Sequence, residues 1–197
     1  MTDNSSTRTT HKAIADWTGD IVALVSHVEE ALDHQLKLKE STDNPRLADA
    51  LQRFHDTVRD DKQRAEAFQE QYGSTAGNPV VKKGSELLGM VAGLIDKVRK
   101  DNVAKALRDD FTAFNHTAMA YTMLHATAMA YNDSATEAFA GEGLKTWAGL
   151  VQEVNQVISE AVVADLAANE KDPAPNTAIA EDCRAFINEA WKSTSVA

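Results

Sequence analysis

The sequence predicts an all-α protein, a four-helix bundle with a crossover helix in the middle and an extra helix at the C-terminal end. Apolar residues recur at spacings of three and four along most of the 197-residue chain, which is the period of an amphipathic helix. No segment alternates apolar and polar residues with β-branched enrichment, as a strand would. A hydrophobic content of 43% is enough for a substantial core, so we interpret the chain as one bundle with an appendage.

The first two helices are predicted to form a hairpin. Residues 1–10 have the composition of a disordered segment, and the first helix then extends to about Lys39. Its apolar stripe consists of Ile14, Trp17, Ile21, Leu24, Val25, Val28, Leu32 and Leu36. The turn at residues 41–45 holds capping residues followed by Pro45, which suits the first turn of a helix. The second helix is therefore predicted from this proline to about Gln71.

The middle of the chain predicts a crossover and a long third helix. A loop at residues 77–79 contains glycine and proline, and the apolar pattern over residues 87–98 predicts a shorter crossover helix. A bundle with parallel neighbours needs such a connection. Residues 103–132 contain no helix breaker, and their second half is neutral nearly all round, so we expect a central, buried helix.

The last two helices are predicted on either side of a proline-rich break. The glycines at residues 141–143 are interpreted as an interruption, with a fourth helix starting from Leu144. The prolines at residues 172–175 end it. The bundle is thus assigned to residues 11–170, and an amphipathic helix over residues 176–193 is expected to pack on it.

Composition excludes several classes of function. The formal net charge of -10 argues against nucleic-acid binding, because basic residues are scattered among more numerous acids. Residues 111–132 are uncharged and long enough to span a bilayer, yet they contain many threonine, asparagine and histidine side chains, which argues against a membrane segment. Cys183 is the only cysteine, and the polar N-terminus has no signal-peptide pattern, so a reducing cytoplasm is expected.

Three segments resemble a known family. They are NPRLADALQRFHDT at residues 44–57, ELLGMVAGLIDKV at residues 86–98 and FNHTAMAYTMLHA at residues 114–126. Together with the helix order, they are similar to the YciF-type stress-protein branch of the ferritin-like superfamily, over roughly residues 14–168. The resemblance implies a ferritin-like bundle and a role in stress tolerance.

Metal-binding members of that superfamily hold two ions, commonly iron or manganese. Each of two helices supplies a Glu, and each of the other two supplies a Glu-x-x-His pair. This chain contains no Glu-x-x-His, and residues 111–132 contain no carboxylate. Asn115 and His116 stand where the resembling segment would carry Glu, and Val28 occupies the expected position on the first helix. We therefore expect no standard dinuclear site and no cofactor.

Four residues remain as candidates for an atypical metal site. Helical periodicity turns Asp61 inward among the apolar residues of the second helix and places His55 at the margin of that stripe. His116 and His125 lie on the least charged helix. A carboxylate and imidazoles could ligate iron or manganese. The alternative interpretation is that they are core or surface residues paired with neighbouring polar groups.

Three functions follow from these observations. The leading one is a non-catalytic bundle that acts through association. The alternatives are a metal-dependent oxidase or iron-binding protein that uses those four residues, and a small-molecule binding bundle with a pocket between Met119, Met123 and the fourth helix. A homodimer is expected because Trp17, Phe186 and Trp191 are large apolar residues near the chain ends.

Overall fold

The structure, a computed structural model, describes residues 11–37, 44–73, 103–169 and 177–193. These residues form five α-helices, which are α1 (Lys12–Gln35), α2 (Pro45–Gly73), α3 (Val103–Ala130), α4 (Ser134–Asn169) and α5 (Thr177–Ser193). The prediction of an all-α fold is confirmed for this part of the chain, which contains no strand. The predicted crossover helix and the N-terminal segment 1–10 lie outside the described residues.

Local sequence signals set two of the helix starts. The Asn44 side chain accepts hydrogen bonds from the backbone amides of Arg46 (3.1 Å) and Leu47 (3.3 Å), so it caps α2. Between α3 and α4, Asn132 adopts a φ of 54°, and the carboxylate of Asp133 then accepts hydrogen bonds from the amide and hydroxyl of Thr136 at 3.2 and 2.8 Å. This capping explains the sharp turn there.

Helix α1 packs against α2 and α3, and it runs antiparallel to both. Residues later in α1 contact residues earlier in α2 and α3, and residues earlier in α1 contact residues later in those helices. Between α1 and α2, Glu29 pairs with Lys62 at 2.6 Å and Asp33 with His55 at 3.0 Å. Between α1 and α3, His11 stacks on Tyr131 and Gln35 bonds to Asp110. The start of α1 therefore lies beside the end of α3.

Helix α4 completes the bundle by packing antiparallel to α2 and α3. Its contacts with α2 run from Arg46 with Glu160 (3.2 Å), through Arg53 with Glu153 (3.7 Å), to Arg64 with the carbonyl of Phe139 (3.0 Å). Since α2 and α3 both run opposite to α1, they are parallel to each other across the bundle. Residues 74–102 therefore connect Gly73 and Val103, which lie at opposite ends of the bundle.

The centre of the bundle is filled by aromatic side chains. Phe114 makes edge contacts with Phe54 and Trp147, both at 5.6 Å between ring centroids. Phe139 stacks on Phe68 at 3.9 Å and contacts the Tyr121 ring at 5.7 Å. The rings of Phe54, Phe114, Tyr121 and Trp147 have no exposed surface, so the middle of the bundle is a packed core.

The predicted interruption at residues 141–143 is wrong, because α4 continues through both glycines. A β-carbon at Gly143 would lie 2.2 Å from the Tyr121 ring, and one at Gly141 would lie 3.4 Å from the His125 ring. These glycines therefore allow the side chains of α3 to lie against the backbone of α4. Glycine weakens a helix in isolation, but here it makes room for packing.

Helix α5 packs on α4 and contacts α3 through Trp191. The Ser159 hydroxyl donates to the carbonyl of Ala180 at 3.0 Å, and the ring of Trp191 meets that of Phe111 at 6.1 Å. The predicted apolar stripe of α5 is only partly covered, since Phe186 is 70% exposed.

The expectation that α3 is buried on all sides is also wrong. Its residues Met119, Met123 and Met129 are 58%, 40% and 56% exposed. An uncharged segment is compatible with burial, but here one face of it points outward. None of the helices that the structure describes is both long and apolar enough to cross a membrane.

Candidate functional site

Asp61 lies in the core of the bundle and is 4% exposed. One of its carboxylate oxygens, Oδ2, accepts hydrogen bonds from the Tyr121 hydroxyl at 2.8 Å and from the indole N–H of Trp147 at 2.7 Å. These donors come from α3 and α4, so the carboxylate joins three helices. Sequence periodicity predicted the inward position of Asp61, but it did not identify these partners.

The other oxygen of Asp61, Oδ1, is held by Arg64, one turn further along α2. The Nε of Arg64 donates to it at 3.1 Å and Nη2 makes a second, shorter contact. The remaining guanidinium nitrogen donates to the carbonyl of Phe139 at 3.0 Å, and the guanidinium lies 4.7 Å from the centre of that residue's ring. A charged partner in direct contact compensates the buried carboxylate.

The position of Tyr121 depends on Gly143, because any side chain at that position would occupy the space of the ring. Burial raises the pKa of the Tyr121 hydroxyl, and the negative charge of Asp61 raises it further. The phenol therefore stays protonated and remains a hydrogen-bond donor to the carboxylate.

The chemistry of this cluster is that of a structural network. Two donors reach each oxygen of Asp61, which nearly saturates the acceptor capacity of a carboxylate. A metal ion at Asp61 would have to displace at least one of Arg64, Tyr121 and Trp147. The residues present therefore do not fit a metal centre at this position.

His55, another candidate ligand, is 9% exposed and lies between α1 and α2. Its Nε2 is 3.0 Å from Asp33, whereas its buried Nδ1 is 3.6 Å from Asp56, which is beyond hydrogen-bonding distance. His55 and Asp61 are six residues apart on one helix, so their backbones are roughly 9 Å apart along its axis. His55 thus acts as a tie between two helices.

The remaining two candidates lie on α3. His116 is on the exposed face of that helix. His125 is half-buried and lines an open depression of about 510 Å³ with residues from the first turns of α4. The other lining residues are Ser134, Glu137, Ala138, Gly141, Glu142 and Lys145.

The structure does not bring the four predicted candidates together. His116 and His125 are nine residues apart, or roughly 13 Å along the helix, and the partners of Asp61 and His55 are different residues. Within the four described ranges, no group of three or more His, Cys, Asp or Glu side chains is placed to hold a metal ion.

Sequence reasoning missed a second buried acid, Asp110. It is 3% exposed, and its Oδ1 accepts a hydrogen bond from the Gln35 amide at 2.7 Å, while the buried Oδ2 has no hydrogen-bond partner. Burial raises the pKa of Asp110 to about 7. Asp110 lies on the inner face of α3, in line with the buried residues Val103, Leu107, Phe114 and Tyr121. Helical periodicity could therefore have identified Asp110 as an inward residue.

The outer face of α3 is the most unusual surface in the described part of the chain. We call it the outer α3 stripe; it consists of Thr112, Asn115, His116, Met119, Thr122, Met123, Ala126, Met129 and Ala130, all exposed. No Asp, Glu, Lys or Arg occurs from Phe111 to Asn132. Exposed methionines on an uncharged face are typical of surfaces that bind other proteins.

The chain matches no model of a known protein family, and no curated protein or solved structure matches it. Its function is therefore inferred from its own side-chain geometry.

Proposed function

We propose that this chain is a non-catalytic, ferritin-like helical bundle that works by associating with protein surfaces. The observation that carries this proposal is the Asp61 cluster, in which a single inward carboxylate is held by Arg64, Tyr121 and Trp147. A carboxylate in this position is a natural metal ligand in a bundle core, but here it stabilises the contact of three helices.

The directions of the helices support the ferritin-like part of the proposal. Helices α2 and α3 are parallel and diagonal, each helix is antiparallel to its two neighbours, and the chain from Gly73 to Val103 passes between opposite ends of the bundle. One long connection in a four-helix bundle is the arrangement of ferritin-like folds.

The filled interior supports the absence of a reaction. Ferritin-like metal sites need several carboxylates and imidazoles that converge between the helices. In this bundle the corresponding space holds the rings of Phe54, Phe114 and Trp147, packed edge to face. Aromatic rings cannot replace metal ligands, so the interior serves stability.

The outer α3 stripe supports association. Its methionines are exposed although the same chain provides enough apolar residues to fill a core. Covering the exposed methionines with a partner surface removes apolar area from water, which favours association.

Thermal unfolding with metal ions tests the proposal. A ligand that binds only the folded state stabilises it, by roughly 4 kcal/mol at a thousand times its dissociation constant. We expect the melting temperature of the purified chain to stay the same when Fe²⁺, Mn²⁺ or Zn²⁺ is added and when a chelator replaces it. A saturable rise with iron or manganese, lost in the Asp61→Asn variant, would contradict the proposal and favour an oxidase or iron-binding protein.

A further inference from the structure

We propose that the outer α3 stripe is the interface of a symmetric homodimer, in which the α3 helices of two copies pack antiparallel. This inference rests on the proposed function of association and names the partner, a second copy of the chain. Four features carry it: the spacing of the stripe, the way its threonine hydroxyls are bonded, the match of large residues with small ones, and the distribution of charge.

The stripe has the spacing of a helix-pairing surface. The stripe, together with Arg108 just before it, contains a row of seven exposed residues at alternating steps of four and three, which are Arg108, Thr112, Asn115, Met119, Thr122, Ala126 and Met129. A seven-residue repeat of this kind lets two helices stay in contact along their length.

The threonine hydroxyls in the stripe can be buried at little cost. The Thr112 hydroxyl donates to the carbonyl of Arg108 at 3.3 Å, the Asn115 amide to that of Phe111 at 2.9 Å, and the Thr122 hydroxyl to that of Ala118 at 2.9 Å. The hydroxyl hydrogens of Thr112 and Thr122 are therefore used within α3. Removing water from these two hydroxyls does not leave their donors unsatisfied, whereas Asn115 keeps one N–H and its carbonyl oxygen for a partner at the interface.

An antiparallel pair also matches large residues with small ones. With the two-fold axis between Met119 and Thr122, a residue of one copy faces the residue of the other copy that lies at the same distance on the opposite side of the axis. The facing pairs are Thr112 with Met129, Asn115 with Ala126, and Met119 with Thr122. Each exposed methionine of this row therefore meets a smaller threonine of the second copy, which is the complementarity that helix packing requires.

Charge favours the same register. The chain has a net charge of -10, so two copies repel each other over most of their surfaces, whereas the stripe itself is uncharged. At its ends, the antiparallel register brings Arg108 of one copy to the α3–α4 turn of the other, where Asp133 lies. The side chain of Arg108 is 68% exposed and pairs with Asp109 of its own chain at 2.6 Å, and a surface pair of this kind is weak enough to be exchanged for a carboxylate of the second copy.

Sedimentation of the full chain with matched charge variants tests the dimer. We expect a dimer at about 100 μM, a concentration ten times the dissociation constant of even a weak 10 μM interface. Met119→Glu places like charges across the two-fold axis and should weaken the dimer by roughly tenfold or more. Gln63→Glu, on the exposed face of α2, adds the same charge and should leave the dimer unchanged.

Cross-linking tests the register in a Cys183→Ser background. A Thr112→Cys/Met129→Cys chain treated with a short bis-maleimide should give covalent dimers in high yield. Thr112→Cys alone should not, because the two copies of residue 112 would be roughly 26 Å apart along the helix axis. Efficient cross-linking of this single variant would show a parallel pair and overturn the proposed interface.

Two other outcomes would also overturn the dimer. A wild-type chain that stays monomeric at the concentration of the sedimentation experiment would reject the homodimer, and a dimer that Met119→Glu leaves intact would mean that another surface is used. These results can be separated from the proposed function, because a metal-free monomer rejects only the dimer, whereas stoichiometric iron or manganese rejects the non-catalytic role.

Discussion

Two buried carboxylates of this bundle, Asp61 and Asp110, differ in what surrounds them. Asp61 receives hydrogen bonds from Arg64, Tyr121 and Trp147, so its negative charge is compensated inside the core. Asp110 receives one hydrogen bond from Gln35, and burial raises its pKa to about 7. The first residue stabilises the fold as a carboxylate, whereas the second is accommodated best as a neutral acid.

We expect Asp61→Asn to destabilise the fold by about 2–4 kcal/mol, because it leaves Arg64 without its partner and puts an amide N–H against donors. The matched control is Asp60→Asn, whose side chain is 76% exposed and whose replacement should change the free energy of unfolding by less than about 0.5 kcal/mol. Urea denaturation measures both. Equal stability of the two variants would show that the cluster contributes nothing to the fold.

Asp110 should make stability fall as pH rises. Its pKa is about 7 in the folded chain and near the ordinary value of 3.8 when unfolded. Between these values the folded state binds more protons at Asp110, so the contribution of this residue to stability is greatest below about pH 4, falls up to about pH 7 and is then constant, a loss on the order of 4 kcal/mol. Asp110→Asn should therefore raise the free energy of unfolding at pH 8 and change it little at pH 4. The idea fails if urea denaturation gives the same increment at both pH values.

At the scale of single helices, α4 shows why a sequence pattern can mislead. Gly141 and Gly143 were interpreted as a break because glycine is unfavourable inside a helix. The structure keeps the helix continuous, since both glycines lie under ring side chains of α3. The reason is a contact between helices, which a sequence reading of α4 alone does not contain.

The glycines of α4 therefore give a matched pair of substitutions. Gly143→Ala would place a β-carbon 2.2 Å from the Tyr121 ring and should destabilise the fold by about 1–3 kcal/mol through overpacking. Gly149→Ala, which meets nothing within 4 Å, should stabilise it by roughly 0.5–1 kcal/mol through helix propensity. Urea denaturation of the two variants checks the signs. Stabilisation by Gly143→Ala would show that Tyr121 is not held against this position.

For helix α3, the sequence predicts the residue range correctly but not the exposure of its outer face. Its predicted span, residues 103–132, is close to Val103–Ala130, because the absence of breakers determines where a helix can continue. The uncharged second half of α3 predicts burial, whereas Met119 is 58% exposed. An uncharged segment is compatible with both a core and an outward surface, so composition alone could not separate them.

At the scale of the whole molecule, helix periodicity predicted the all-α class and the inward position of Asp61. It could not predict the hydrogen bonds to Tyr121 and Trp147, which come from helices 60 and 86 residues away in sequence. The same reasoning left His55, His116 and His125 as candidate ligands, since periodicity gives the face of a residue but not its distance from residues on other helices. Only the packing of the helices provides those distances.

Elemental analysis of the full chain, expressed with iron, manganese and zinc supplied, tests the central claim most directly. The claim is that the interior of this bundle holds packed rings and a protein-bound carboxylate in place of a metal centre. We predict a metal content near zero per chain after purification, with the helical fold intact. Close to two iron or manganese ions per chain would contradict the claim, because Asp61 would then have to exchange its hydrogen-bond donors for metal.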